Sequence, residues 1–216
     1  MRTAFRNREE AGRALAERLS GYASRNPVVF ALPRGGVPVA AEIARALHAP
    51  LDLLFVRKVG LPWQPELAYA AVVDGNPPET VINEDVARYE PMSEREFADA
   101  VRRELDEIKR RRELYLTGRP SIDPIGRAAI VVDDGLATGT TARAALRALK
   151  RRQPSSLVLA VPVAPRSTVR ELSPLVDELV CLAMPEPFDA IGLHYLDFHQ
   201  LSDDEVIELL RAADGG

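Results

Sequence analysis

Ala128-Ala-Ile-Val-Val-Asp-Asp-Gly-Leu-Ala-Thr-Gly-Thr-Thr-Ala-Arg143 is the stretch on which the reading of this chain turns. Its first five residues are a short apolar run rich in β-branched side chains, the pattern of a buried strand. Two carboxylates, Asp133 and Asp134, stand where that strand should end. A turn of small residues follows, and Thr140 to Lys150 then reads as a helix with Ala and Leu on one face. Free backbone N–H groups at a helix start, with the helix dipole behind them, suit a phosphate. Gly139 lets the backbone approach closely, and Thr138, Thr140 and Thr141 offer hydroxyl donors. The twin acids would repel that phosphate unless they had another task. They could accept hydrogen bonds from the vicinal hydroxyls of a sugar or help to hold a divalent cation. A sugar phosphate laid along the turn satisfies both halves. The loop is not of the Walker type, because no Gly-Lys-Ser/Thr ends it.

A hydrophobic run, Asp133-Asp134, a short spacer and Thr138-Gly139-Thr140-Thr141 resembles the signature of the type I phosphoribosyltransferases. The resemblance implies that phosphoribosyl pyrophosphate is the donor. Asp133 and Asp134 would hold its ribose hydroxyls, and the run Gly135, Ala137, Thr138, Gly139, Thr140 and Thr141 its ribose 5-phosphate. It further implies transfer of the 5-phosphoribosyl group to a nitrogen acceptor with release of pyrophosphate, Mg²⁺ as cofactor and a homodimer.

At 216 residues the chain is long enough for one sizeable core, and we read it as a single domain. Its 46% hydrophobic and 28% charged content is that of a water-soluble globular protein. A net charge of −4 argues against a general nucleic-acid binder. The single cysteine, Cys181, lies in an apolar run and reads as a packed thiol. The first ten residues have no apolar leader pattern, and no later run is long enough to span a membrane, so a cytoplasmic protein is expected.

Around the central stretch, Asn7 to Tyr22 reads as an amphipathic helix carrying Ala11, Leu15, Ala16 and Leu19. Pro27 to Leu32 is an apolar strand followed by Pro33-Arg34-Gly35-Gly36. Glycine amides and a guanidinium together make a second anion site. In the resembled family the equivalent loop binds pyrophosphate, often through a non-proline cis peptide, and that role would fall on Arg34, Gly35 and Gly36. Leu51 to Val56 reads as one strand, ending in Arg57-Lys58-Val59-Gly60-Leu61-Pro62. This resembles the start of the mobile loop of adenine phosphoribosyltransferases, with one lysine missing. Arg57 and Lys58 would meet the departing pyrophosphate. Residues 58–118 read as a mobile loop, a β-hairpin (Leu67 to Val73, Thr80 to Ile82) and an inserted long helix opened by a Ser93–Glu96 capping box. Within that helix Arg110, Arg111 and Arg112 read as part of a solvated charged face.

Residues 183–201 resemble the hood of the hypoxanthine–guanine phosphoribosyltransferases. Phe188 would stack on the acceptor with Ile191 beside it, and Asp197 would reach a metal through water. His194 and His199 read as structural. In 6-oxopurine members an Asp precedes Thr-Gly, where this chain has Ala137, and the base-reading lysine near Pro165-Arg166-Ser167 is also missing. A nucleobase other than a 6-oxopurine, or another amine, is therefore the expected acceptor. The alternation of strands and helices predicts a mostly parallel, twisted α/β sheet with helices on both faces. Two rival readings stay open: a regulatory domain that only senses phosphoribosyl pyrophosphate or a nucleotide, and a hydrolase that passes the phosphoribosyl group to water.

Overall fold

The computed structural model describes residues 5–214. The chain runs α1 (Arg8–Arg18), β1 (Pro27–Ala31), α2 (Gly36–Leu47) and β2 (Leu51–Leu53). There follow β3 (Val56–Leu61), β4 (Gln64–Val73), β5 (Glu79–Ile82), α3 (Glu84–Tyr89) and α4 (Glu94–Tyr115). It closes with β6 (Ala128–Val132), α5 (Thr140–Arg151), β7 (Ser156–Val163), α6 (Arg166–Leu172), β8 (Glu178–Ala183) and α7 (Asp203–Asp214).

Five of these strands form a parallel sheet in the order β2-β1-β6-β7-β8. Both faces are covered, which is why β1 and β6 are apolar at every position instead of alternating. The register places Val29 beside Ile130 and Ile130 beside Val158. That row packs under α1, α2 and α7 with Leu15, Leu19, Ile43 and Leu210. The neighbouring row, Phe30, Val131 and Leu159, packs under α5 with Leu146 and Leu149. Each such fully buried side chain contributes about 1.5–3 kcal/mol of hydrophobic stabilisation before entropy is counted. The expected α/β fold with its mostly parallel sheet is the one found.

Leu51 to Val56 is not one strand. β2 stops at Leu53, and Val56 opens β3, which pairs antiparallel with β4 in a second, three-stranded sheet. Arg57 and Lys58 therefore sit inside a ladder, opposite Val72 and Ala71, rather than at the start of a loop. A continuous apolar run does not reveal where one strand hands over to another. The Ser93–Glu96 capping box is present, the Glu96 N–H donating to Ser93 Oγ at 3.3 Å and the Ser93 N–H to Glu96 Oε2 at 3.2 Å.

The Arg110–Arg112 run departs from expectation too. Arg112 turns inward, 2.6 Å from Asp74 and 3.4 Å from Asp52, both buried. Only Arg110 lies on a solvated face. The inward partners lie 38 and 60 positions away, beyond the reach of a local charge pattern. Cys181 is partly buried, and burial pushes its thiol up to about 11, as befits an inert packed group. No helix among the described residues is long and apolar enough to cross a membrane.

Candidate functional site

The site lies at the carboxyl ends of β1 and β6, where ligands settle in open parallel sheets. After β1 the chain turns through Leu32 to Gly36, and the Leu32 N–H donates to Val132 O at 2.9 Å. The Pro33–Arg34 peptide is cis, as the family resemblance implies. The two loops abut so closely that a Cβ on Gly35 would lie 2.1 Å from Asp134 Oδ2, and one on Gly36 2.7 Å from Val132 O. Glycine is required at both places by space.

The twin acids differ. The Asp133 carboxylate is half-buried, and its Oδ1 accepts the Asp134 N–H at 2.9 Å. Loss of water, and then the Asp134 charge, pushes the Asp133 carboxyl well above the usual carboxylate range. Asp134 is buried and held by Arg8, whose Nε donates to Oδ2 at 2.8 Å. Burial raises its pKa as well, with the Arg8 hydrogen bond and charge opposing. Arg8 also donates to His199 O at 3.0 Å and stacks 3.9 Å over the Phe198 ring. The Tyr195 hydroxyl donates to Asp134 O at 2.6 Å. Sequence reasoning missed both Arg8 and Tyr195. A signal for Arg8 existed: it occupies the apolar stripe of α1 with Ala11 and Leu15, where a charge needs a buried partner.

The turn after the acids is shaped by contacts from both sides. The Leu136 N–H donates to Val163 O at 2.9 Å, and Thr168 Oγ1 to Ala137 O at 2.6 Å. Gly139 caps α5 at a φ of 68°, with Thr168 and Leu172 packed where a Cβ would go. Ala137, Thr138, Thr140 and Thr141 are exposed, and the Thr138 and Thr140 hydroxyls lie 3.1 Å apart. The α5 N-terminus thus presents a hydroxyl-lined, accessible face beside the acids. Ile191 packs over Gly135, where a Cβ would lie 2.6 Å from its Cγ2.

The remaining expected residues are spread around this centre. Arg34 is partly exposed and reaches Asp203 at 3.5 Å. Arg57 is held by Glu104 of α4 at 2.8 Å. Lys58 is exposed and, with Thr140, Thr141, Arg143 and Arg147, borders an 800 Å³ cleft between α5 and the antiparallel sheet. Phe188 is half-buried and stacks on His194, ring centres 5.3 Å apart, rather than standing clear of the body. His194 is buried, and among the described residues its Nε2 has no hydrogen-bond partner. Asp197 is exposed and accepts the His199 N–H at 3.2 Å. Hydrogen bonds to the carboxylates of Glu205 first and Asp197 next raise the pKa of His199. Among the described residues no group of three or more His, Cys, Asp or Glu side chains could hold a metal ion.

A model of the phosphoribosyl transferase domain matches residues 3–195. The chain is 46% identical over 209 residues, 97% of its length, to two proteins named "Putative phosphoribosyl transferase", from the CDC 1551 and H37Rv strains of Mycobacterium tuberculosis. It spans about half, 47%, of the length of these curated relatives. The crystal structure of TT1426 from Thermus thermophilus is similar with a TM-score of 0.83 and 41% identity, over 97% of this chain and 98% of that one. By the extent of the domain match and the identity to these relatives, the chain belongs to the phosphoribosyl transferase family.

Proposed function

We propose that this protein transfers the 5-phosphoribosyl group of phosphoribosyl pyrophosphate to a nitrogen acceptor other than a 6-oxopurine, releasing pyrophosphate. The observation that carries the reading is the contact between two strand-end loops: the Asp133–Asp134 pair closes directly against Gly35 of the Arg34-Gly35-Gly36 loop, with the accessible N-terminus of α5 beside it. The 5′-phosphate would be seated by the amides and hydroxyls of Thr138 to Thr141. Asp133 would accept the ribose hydroxyls, while Asp134, tied to Arg8, sets the geometry of the pair. Pyrophosphate would meet Arg34, Gly35, Gly36, Arg57 and Lys58, which together would stabilise charge developing on the leaving group. Breaking the anomeric bond through an oxocarbenium-like state asks for positioning and charge stabilisation more than for a strong base.

Mg²⁺ would come to the site on the phosphate oxygens of the donor, the chain adding at most the half-buried carboxylate of Asp133; Asp134 and Asp197 are already engaged by Arg8 and His199. The ion would neutralise leaving-group charge there. Phe188 and Ile191 would border the acceptor, and a homodimer in the cytoplasm goes with the family reading.

The test is a pyrophosphate-release screen with Mg²⁺ across nucleobases and small amines. We expect release that depends on one acceptor and is abolished by Asp133→Asn. Release without any acceptor would make the protein a hydrolase. Thermal stabilisation by phosphoribosyl pyrophosphate with no release under any condition would make it a sensor.

A further inference from the structure

The three consecutive arginines of α4 point in three directions, about 100° apart as helix geometry requires. Arg112 is drawn inward by Asp52 and Asp74. One turn on, Tyr115 stacks on Phe55 with ring centres 6.1 Å apart and planes 12° from parallel, and its hydroxyl bonds Asp203. These two anchors fix the rotation of the helix. Arg110 is thereby left in solvent, and Arg111 is carried to the wall of a cavity of about 220 Å³. Leu32, Pro33, Phe55, Arg57 and Thr141 complete most of that wall. The cavity therefore lies against the cis Pro33–Arg34 turn, and one of its walls belongs to the first turn of α5. At about 30 Å³ per water it is far larger than a packing defect.

Two arginines line this space from different elements, Arg57 from β3 and Arg111 from α4, and Arg34 starts from the turn that also borders it. Among the described residues each is steadied by one acid at the surface: Arg57 by Glu104, Arg111 by Glu107 at 2.7 Å, Arg34 by Asp203. Among the described residues Arg111 engages Glu107 through its Nε alone, so the forked amino end of the group is the part left to grip a ligand. Partly exposed pairs of this kind are weak and yield readily to a more highly charged anion.

We propose that Arg111 is a pyrophosphate-binding residue of the donor site, opposing Arg57 across this cavity, so that the long helix α4 is part of the ligand site. The proposal rests on the reading of the donor given above. It extends that reading to a residue and a helix that neither the sequence motifs nor the loop equivalence includes.

The experiment measures binding of inorganic pyrophosphate with Mg²⁺, and separately of ribose 5-phosphate, to the full chain by calorimetry. Wild type is compared with Arg111→Ala, Arg111→Lys and Arg110→Ala. We expect Arg111→Ala to weaken pyrophosphate at least tenfold and ribose 5-phosphate less than twofold. Arg111→Lys should recover part of the loss, because the charge returns without the fork. Arg110→Ala, the same loss of charge one residue away, should bind both ligands as wild type does. The proposal is overturned if Arg111→Ala binds pyrophosphate normally, or if Arg110→Ala loses as much. Should wild type bind ribose 5-phosphate but not pyrophosphate, this cavity is not a pyrophosphate site while the sugar-phosphate site stands. If wild type binds neither ligand, the donor reading and this proposal fall together.

Discussion

Arg8 Nε lies 2.8 Å from Asp134 Oδ2, the two side chains only 8% and 11% exposed, and the pair joins the first turn of α1 to the tip of β6. The pair makes the adjacent acids unequal. Asp134 becomes a post on which Arg8, the Phe198 ring and the His199 carbonyl are assembled, and Asp133 is left as the carboxylate of the pair that no cation among the described residues engages directly.

Removing the guanidinium alone should be costly. Arg8→Met strands a buried carboxylate, and we expect a loss of about 3–5 kcal/mol in chemical unfolding. Arg8→Met with Asp134→Asn should recover at least about 1 kcal/mol of it, since the second change removes the unpaired charge. Additive losses in that double-mutant cycle would show that the two residues are uncoupled.

Asp133 carries a pH prediction. Its folded-state pKa is raised by burial and then by Asp134, so the folded chain binds this proton more tightly than the unfolded chain does. The resulting stability is fully present below the unfolded pKa and is lost as pH rises through the folded one. Asp133→Asn carries no charge to desolvate. Above that window its Tm should exceed wild type by about 2–4 °C, the shift that roughly 1 kcal/mol gives a chain of this size, and the gap should close on acidification. The same titration should weaken ribose 5-phosphate binding as pH falls, with a midpoint above the usual carboxylate range, because a protonated carboxyl no longer accepts both hydroxyls. Binding by calorimetry across pH reads this limb directly.

Gly139 holds α5 at a φ of 68°, and a Cβ there would lie 2.8 Å from Thr168 Cγ2 and 2.9 Å from Leu172 Cδ1. The left-handed conformation costs an L-residue about 1–2 kcal/mol, and the crowding adds to it. Gly139→Ala should therefore destabilise by about 2 kcal/mol or more and weaken ribose 5-phosphate at least tenfold. Unchanged affinity would separate this turn from the phosphate.

Arg112 and Arg110 offer a paired test of what fixes α4. Arg112→Ala leaves Asp52 and Asp74 buried without their cation, and burial already raises the Asp74 pKa against the pull of Arg112. A loss of about 3 kcal/mol is expected in chemical unfolding. Arg110→Ala should stay within about 0.5 kcal/mol of wild type.

The legible parts of this molecule were those written in contiguous residues. Ala128 to Val132 had to be a doubly covered strand because five successive positions are apolar and largely β-branched, and the fold class followed from repeats of that strand–turn–helix grammar. The capping box at Ser93 was readable for the same reason, since partner and cap stand three residues apart. The break between β2 and β3 was not readable, because both sides of it are apolar and only the pairing partner differs.

The sequence by itself therefore determined the α/β sheet, the strand-end acids and the helix start beside them, since each depends on interactions within a few residues. The tertiary structure alone decided that Arg8 reaches across 126 positions to Asp134, that Arg112 turns inward, and that Arg111 comes to face the Pro33 turn. An arginine looks the same in sequence whether it meets water, a buried carboxylate or a ligand cavity. Its role is set by the helix rotation that packing enforces, and packing joins residues the chain keeps far apart.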